Sequence, residues 1–270
     1  MAFIFMSLAI ASCNSNEESK KITSAPDKVA SNIIEEKTTY ESNGKTYDAY
    51  VTYDESIKGT RPGILVVPEW WGLNDYTRSR AKQLAELGYA AMALDVYGDG
   101  KQGENPEEAG KLASAYYNDL SQTRVILDAA LTKFKTYPQV DSTKMGAIGY
   151  CFGGAVVLNA AKLGIDLKGV VSFHGGLQGV TPDKNKIKAK ILVCHGAADN
   201  FENPHVAQFK KEMDSAGVDY TFKEYPDATH AFSNPNATEV GKKFNMPIAY
   251  NEAADKASWE DMKAFFKKIF

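Results

Sequence analysis

From Lys37 onward, short runs rich in β-branched and aromatic residues alternate with segments of helical length. Such alternation predicts an α/β fold with a mostly parallel central sheet and helices on both faces. The opening differs. Lys37 to Tyr40 and Thr46 to Tyr53 flank Asn43-Gly44, a dipeptide suited to a tight turn, and so predict an antiparallel hairpin at the start of the sheet. Further strands are expected at Gly63–Val67, Ala90–Leu94, Met145–Gly149, Gly169–Phe173, Ile191–Cys194 and Tyr220–Glu224. Several of these are apolar almost without interruption, the pattern of strands buried on both faces.

Helix ends are marked between the strands. One helix is expected to begin near Asn74, to carry Tyr76, Leu84 and Leu87, and to stop before Gly88, a residue suited to the left-handed turn after a helix. Asn105-Pro106 and Asn203-Pro204 each place a capping side chain before a proline in the first turn, where the missing N–H costs nothing. Near the end of the chain Trp259, Met262, Phe266 and Ile269 share one helical face, which predicts core packing. No repeat and no break in composition interrupts this region, so residues 37–270 read as one domain.

Composition narrows the class of protein. The chain has 270 residues, 44% apolar and 24% charged, which excludes disorder, collagen-like repeats and a multi-span membrane protein. Its formal charge of −3 is too small and too mixed in sign for a nucleic-acid footprint, so no nucleic acid is expected as a partner. Three cysteines, Cys13, Cys151 and Cys194, are too few for a disulfide framework. No set of His, Cys and carboxylates has metal-ligand spacing, and neither metal nor cofactor is expected.

The first cysteine belongs to a distinct leading segment. Residues 2–11 are uncharged and mostly apolar, and too short for the ~20 residues that a membrane span needs. Ile10-Ala11-Ser12-Cys13 resembles the bacterial lipobox, in which the cysteine is lipidated and becomes the mature N-terminus. The expectation is therefore a lipoprotein signal over 1–12 and a flexible tether over 13–36, rich in Ser, Asn, Lys and Glu. The chain would be exported and held on a bacterial cell-envelope membrane by a lipid anchor on Cys13. The positive n-region usual in such signals is missing, since only Met1 and Ala2 precede Phe3.

The sharpest chemical signal is Gly149-Tyr150-Cys151-Phe152-Gly153-Gly154, between a predicted strand and the helical-looking Ala155 to Lys162. A nucleophile on a tight strand-to-helix turn crowds its neighbours against backbone, so Gly149 and Gly153 are what the turn demands. Helix N-terminal N–H groups there favour a thiolate, and the Phe152 N–H points toward a developing oxyanion. In this architecture the chain order is nucleophile, acid, histidine, and Asp199 and His230 follow later strands in that order. His230 would exchange the proton, with Asp199 fixing its tautomer.

The remaining candidates carry weaker signals. His195 reads as a loop-structuring residue, His205 as solvated, and Asp227 as part of a local turn. His174 ends a strand, where lining the pocket and serving as a satisfied structural histidine are both open. Cys194 ends an apolar strand and is expected to be buried.

Several linked motifs resemble the dienelactone hydrolase family, a branch of the α/β-hydrolases with a cysteine nucleophile. They are Val67-Pro68-Glu69-Trp70-Trp71-Gly72, Asp95-Val96-Tyr97, the Cys151 turn, His195-Gly196-Ala197-Ala198-Asp199, His230-Ala231-Phe232 and Tyr250-Asn251-Glu252-Ala253-Ala254. The resemblance runs from about Gly63 to Trp259 and implies a Cys151, His230, Asp199 triad that forms an acyl-enzyme. It also implies that Glu69 contacts the thiol and helps generate the thiolate, and that the backbone N–H groups of Phe152 and Trp70 form the oxyanion hole. Family members that hydrolyse dienelactone hold its carboxylate with arginines shortly after the Asp-x-Tyr motif and shortly after the histidine. The corresponding stretches here, Tyr97-Gly98-Asp99-Gly100 and Ala231-Phe232-Ser233-Asn234, contain none, and Asp99 is expected to repel an anion.

The expected function is hydrolysis of a small ester or lactone. The competing reading is a non-catalytic ligand-binding lipoprotein that keeps the same pocket, with Trp70, Trp71, Tyr97 and Phe152 as its aromatic wall. Oligomeric state is not legible in the sequence.

Overall fold

The computed structural model describes residues 1–3 and 31–270, so Cys13, its lipobox and most of the tether lie outside the described residues. The expected hairpin forms from β1 (Ile33–Ser42) and β2 (Lys45–Asp54). Both strands are longer than the sequence suggested. β1 begins four residues before Lys37, so residues 33–36 belong to the fold rather than to the tether, because their backbone pairs in register with Val51 to Asp54. Asn43 and Gly44 take φ of 48° and 73°, as a two-residue hairpin turn requires.

The chain then alternates between strand and helix. β3 (Arg61–Val67), α1 (Asp75–Glu86) and β4 (Ala90–Leu94) come first. They are followed by α2 (Pro106–Asn118), α3 (Ser121–Phe134), β5 (Val140–Tyr150), α4 (Phe152–Lys162) and β6 (Gly169–Phe173). β7 (Lys190–Gly196), α5 (Asn203–Ser215), β8 (Tyr220–Tyr225), α6 (Ala237–Phe244) and α7 (Glu252–Ile269) complete it. Among the described residues eight strands form one sheet in the order β1-β2-β4-β3-β5-β6-β7-β8. β2 pairs antiparallel to both its neighbours, and β4 through β8 are parallel.

Alternate strand residues feed two cores, which is the period-two rule of a sheet covered on both sides. Leu65, Val67, Met92, Ala147 and Val170 pack with side chains of α2, α3, α4 and α5. Ile64, Val66, Ala93, Ile148 and Val171 pack with α1 and α7.

Caps follow the sequence with one exception. Asn74, Asn105 and Asn251 each accept a backbone N–H in the first turn of α1, α2 and α7. Asn203 does not cap α5: Glu202 holds the N-cap position, and the Asn203 side chain instead joins His195 Nε2 at 2.8 Å and the Ala197 carbonyl at 3.1 Å. His195 is thereby the loop-structuring residue expected of it.

On α7, Met262 and Phe266 are fully buried. Truncating a buried aromatic removes its transfer energy and leaves a cavity, so Phe266→Ala should destabilise the domain by about 3–5 kcal/mol. Urea unfolding measures this, and an unchanged midpoint would show that α7 does not close this face of the sheet.

Candidate active site

β5 and α4 meet at Cys151, whose backbone takes φ 53° and ψ −115°, a strained conformation for a residue with a β-carbon. The turn can close only because its neighbours lack side chains. A β-carbon on Gly149 would lie 2.0 Å from the Gly153 carbonyl oxygen, and one on Gly153 would lie 2.4 Å from that of Val67. The Cys151 N–H is held twice, by the Phe173 carbonyl at 3.0 Å and by His174 Nδ1 at 3.1 Å.

The loops after β7 and β8 bring two more side chains to this turn. His230 Nε2 lies 3.0 Å from Cys151 Sγ, and His230 Nδ1 lies 2.7 Å from Asp199 Oδ2. The other oxygen of Asp199 accepts the backbone N–H groups of Phe201 at 3.0 Å and Glu202 at 3.2 Å, so the buried carboxylate is fully engaged. Burial alone would push the Asp199 carboxyl up, but its bonds to His230 and to these N–H groups hold it below the ordinary value. Burial would likewise push the His230 imidazole down. The adjacent Cys151 sulfur and Asp199 outweigh that and hold it well above its ordinary value.

Two further backbone donors accompany this array. Among the described residues neither the Phe152 N–H nor the Trp70 N–H has an acceptor. Over the turn lies a cavity of about 580 Å³ lined by Glu69, Trp70, Trp71, Cys151, Phe152 and His230, among others.

Residues 47–270 match the dienelactone hydrolase family. The chain belongs to that family. It is thus a dienelactone hydrolase-like hydrolase with the α/β-hydrolase fold. It is 30% identical over 236 residues to Protein usf of Aquifex pyrophilus, covering 85% of this chain and 96% of that one. A protein of Aquifex aeolicus, provisionally named a carboxymethylenebutenolidase, is 29% identical over 238 residues, covering 84% and 96%. A dienelactone hydrolase-like promiscuous phosphotriesterase from metagenomic libraries superimposes with a TM-score of 0.82 and 34% identity, over 88% of this chain and 99% of that one.

Some family motifs prove to be scaffolding. Asp95 is buried and accepts the N–H groups of Tyr97 at 2.8 Å, Gly98 at 3.1 Å and Gly100 at 2.9 Å, which shapes the loop after β4. Tyr97, expected in the pocket, does not line the cavity. Its ring packs against Phe152 with centroids 5.7 Å apart, and its hydroxyl donates to the Trp70 carbonyl at 2.9 Å. That bond fixes the loop carrying the Trp70 N–H. The Tyr250–Ala254 motif is the start of α7, capped by Asn251.

His174 is also outside the cavity lining. It is fully buried, and its Nδ1 accepts the Cys151 N–H, so Nε2 carries the proton and donates to Ser233 Oγ at 2.7 Å. Burial, together with nearby His230 and Arg80, holds its imidazole well below the ordinary value, in keeping with a neutral ring. Ser233 Oγ continues to Tyr76 at 2.8 Å. Asp99 is exposed, lies 3.2 Å from Lys101 and does not line the cavity, so the expected repulsion of an anion does not originate there. Cys194 is buried as expected, 3.5 Å from the Tyr225 hydroxyl, and His205 meets the Gln178 side chain at 3.0 Å.

Glu69 reaches the cavity but does not hydrogen-bond the thiol. Its Oε2 accepts Asn234 Nδ2 at 2.7 Å, and that amide stands in the arginine-free stretch just after His230. With a neutral partner, burial dominates and pushes the carboxyl up to about 7, against the downward pull of Asn234. Tyr117, Phe201 and Glu202 also line the cavity, and no motif in the sequence singled them out.

The raised Glu69 carboxyl has a consequence for stability. The unfolded chain releases this proton near 4.5 and the folded chain near 7, so stability falls as pH rises through that window. Glu69→Gln removes the loss. Its stability relative to wild type should rise by on the order of 3 kcal/mol across the window and stay level above it. Urea midpoints at several pH values read this directly, and a pH-independent difference would show that Glu69 is ionised at little cost.

Proposed function

We propose that the chain hydrolyses small esters or lactones through an acyl-enzyme on Cys151. The observation that carries this reading is the unbroken array from sulfur to imidazole to carboxylate, 3.0 Å and 2.7 Å long, at the floor of the cavity.

Each group has a step. His230 held in its protonated form places positive charge beside the sulfur, the setting in which a thiolate attacks the ester carbonyl carbon. The carbonyl electron pair moves onto oxygen, where the free N–H groups of Phe152 and Trp70 receive it. As the tetrahedral intermediate collapses, the carbon–oxygen bond breaks and the leaving alkoxide takes the proton from His230 Nε2. Water then attacks the thioester while Nε2 accepts its proton, and the thiolate leaves with the acid released. Throughout, Asp199 holds the ring by Nδ1 so that Nε2 alone faces the sulfur. His174 supports the strained Cys151 backbone from beneath without exchanging protons with substrate.

The placement of the enzyme is a second part of the proposal: export and a lipid anchor on Cys13, supported by Ile10-Ala11-Ser12-Cys13. Cells fed a labelled fatty acid should incorporate it into the wild-type chain and not into Cys13→Ala. Equal labelling of both would remove the anchor from the proposal.

For the chemistry, 4-nitrophenyl acetate should give a burst of nitrophenolate and a transient mass increase of one acetyl group on the wild-type protein. Cys151→Ala should show neither while keeping the wild-type circular dichroism spectrum. Turnover that survives in Cys151→Ala would overturn the assignment of the nucleophile.

A further inference from the structure

The cavity over Cys151 has an unusual charge balance. Its lining includes the aromatic residues Trp70, Trp71, Tyr117, Phe152 and Phe201, and among the described residues its charged groups are two carboxylates and His230, with no lysine or arginine. One carboxylate, Glu69, is buried and bound to Asn234. The other is Glu202, three residues beyond Asp199 at the start of α5.

Glu202 is only partly accounted for by structure. Its Oε2 accepts the Leu177 N–H at 2.9 Å, while Oε1 lies over Gly176, 3.7 Å from where a β-carbon would stand. Neither oxygen forms an ion pair among the described residues. A single neutral N–H satisfies one lone pair, and beyond the dipole at the N-terminus of α5 no ion-pair partner among the described residues offsets the charge. If the residue served only to hold Leu177, a glutamine would do the same work without the charge. Aromatic faces add negative potential of their own, and an aromatic wall with a carboxylate is the arrangement that attracts an ammonium group.

We propose that Glu202 is a specificity-determining residue and that the preferred substrate is an ester or lactone bearing an ammonium group. This rests on the hydrolase reading above and narrows its substrate class. The ammonium group sits beside Glu202 Oε1 and the aromatic wall while the ester carbonyl lies at Cys151. An anionic substrate meets the same carboxylate with no lysine or arginine on the surrounding wall to balance it, since the one positive group in the lining, His230, is already paired with Cys151 and Asp199.

Two isosteric thioesters isolate the charge: acetylthiocholine and S-(3,3-dimethylbutyl) thioacetate, which differ by a quaternary nitrogen in place of carbon. Wild type should favour the cation in kcat/KM by about tenfold, the size of a partly desolvated cation–π and carboxylate contact. Glu202→Gln keeps an acceptor for the Leu177 N–H and removes the charge, so the ratio should fall toward one. Raising the salt concentration should lower the wild-type ratio as well. A binding measurement separates selectivity from chemistry: calorimetry on Cys151→Ala should show choline binding more tightly than 3,3-dimethylbutanol.

A wild-type ratio at or below one, or a ratio unchanged in Glu202→Gln, overturns the inference. Equal turnover of both thioesters with equal binding of both alcohols removes the cation preference and leaves the hydrolase reading intact. No turnover of 4-nitrophenyl acetate or of either thioester, with choline still preferred by Cys151→Ala, supports the preference and removes the hydrolase reading.

Discussion

Everything in the site depends on one sharp bend of the main chain. Cys151 sits at φ 53° because β5 must end and α4 must begin within a single residue, and that geometry lifts the sulfur out of the sheet toward the loops above it. The bend is possible only where Gly149, Gly153 and Val67 approach closer than any β-carbon allows. Such strain persists only when the surroundings over-determine it. Here they do so through two acceptors on one N–H, the Phe173 carbonyl and the His174 ring.

The electrostatics follow from how each buried group is partnered. Asp199 has a cation-forming ring and two N–H donors, so it stays ionised despite complete burial. Glu69 has a single neutral amide and does not escape the cost of desolvation. His174 is held neutral by burial and by the positive groups around it, while His230, with ring centroids only 5.5 Å away, is pushed the other way by sulfur and carboxylate. Two imidazoles in contact are thus pushed in opposite directions because their hydrogen-bond partners differ. Separation of this kind is what the proposed mechanism asks for, with one ring handling protons and its neighbour serving only as support.

The motifs divide along the same line. Asp95-Val96-Tyr97 and Tyr250–Ala254 form loops and caps, and Tyr97 pins the Trp70 carbonyl instead of touching the cavity. These functions are invisible at the level of residue type, since an aspartate before two turn residues reads the same whether it binds a ligand or three backbone N–H groups. Asn203 is a similar case. Before a proline it has every mark of a cap, yet His195 and the Ala197 carbonyl offer its amide better-placed partners.

What the sequence determined alone is what short-range physics controls. Alternating apolar runs required a parallel sheet with two covered faces, Asn43-Gly44 required the hairpin, and a cysteine between spaced glycines after a strand required the bend. Chain order then put Asp199 and His230 on loops at the same sheet edge. Tertiary structure decided which distant groups meet there. Glu69 and Asn234 are 165 positions apart, and His174 and Ser233 are 59 apart, so their pairing is set by how loops pack over the sheet and by no local pattern. The cavity wall from Tyr117 to Glu202 arises in the same way, from segments whose only common property is where the fold leaves them.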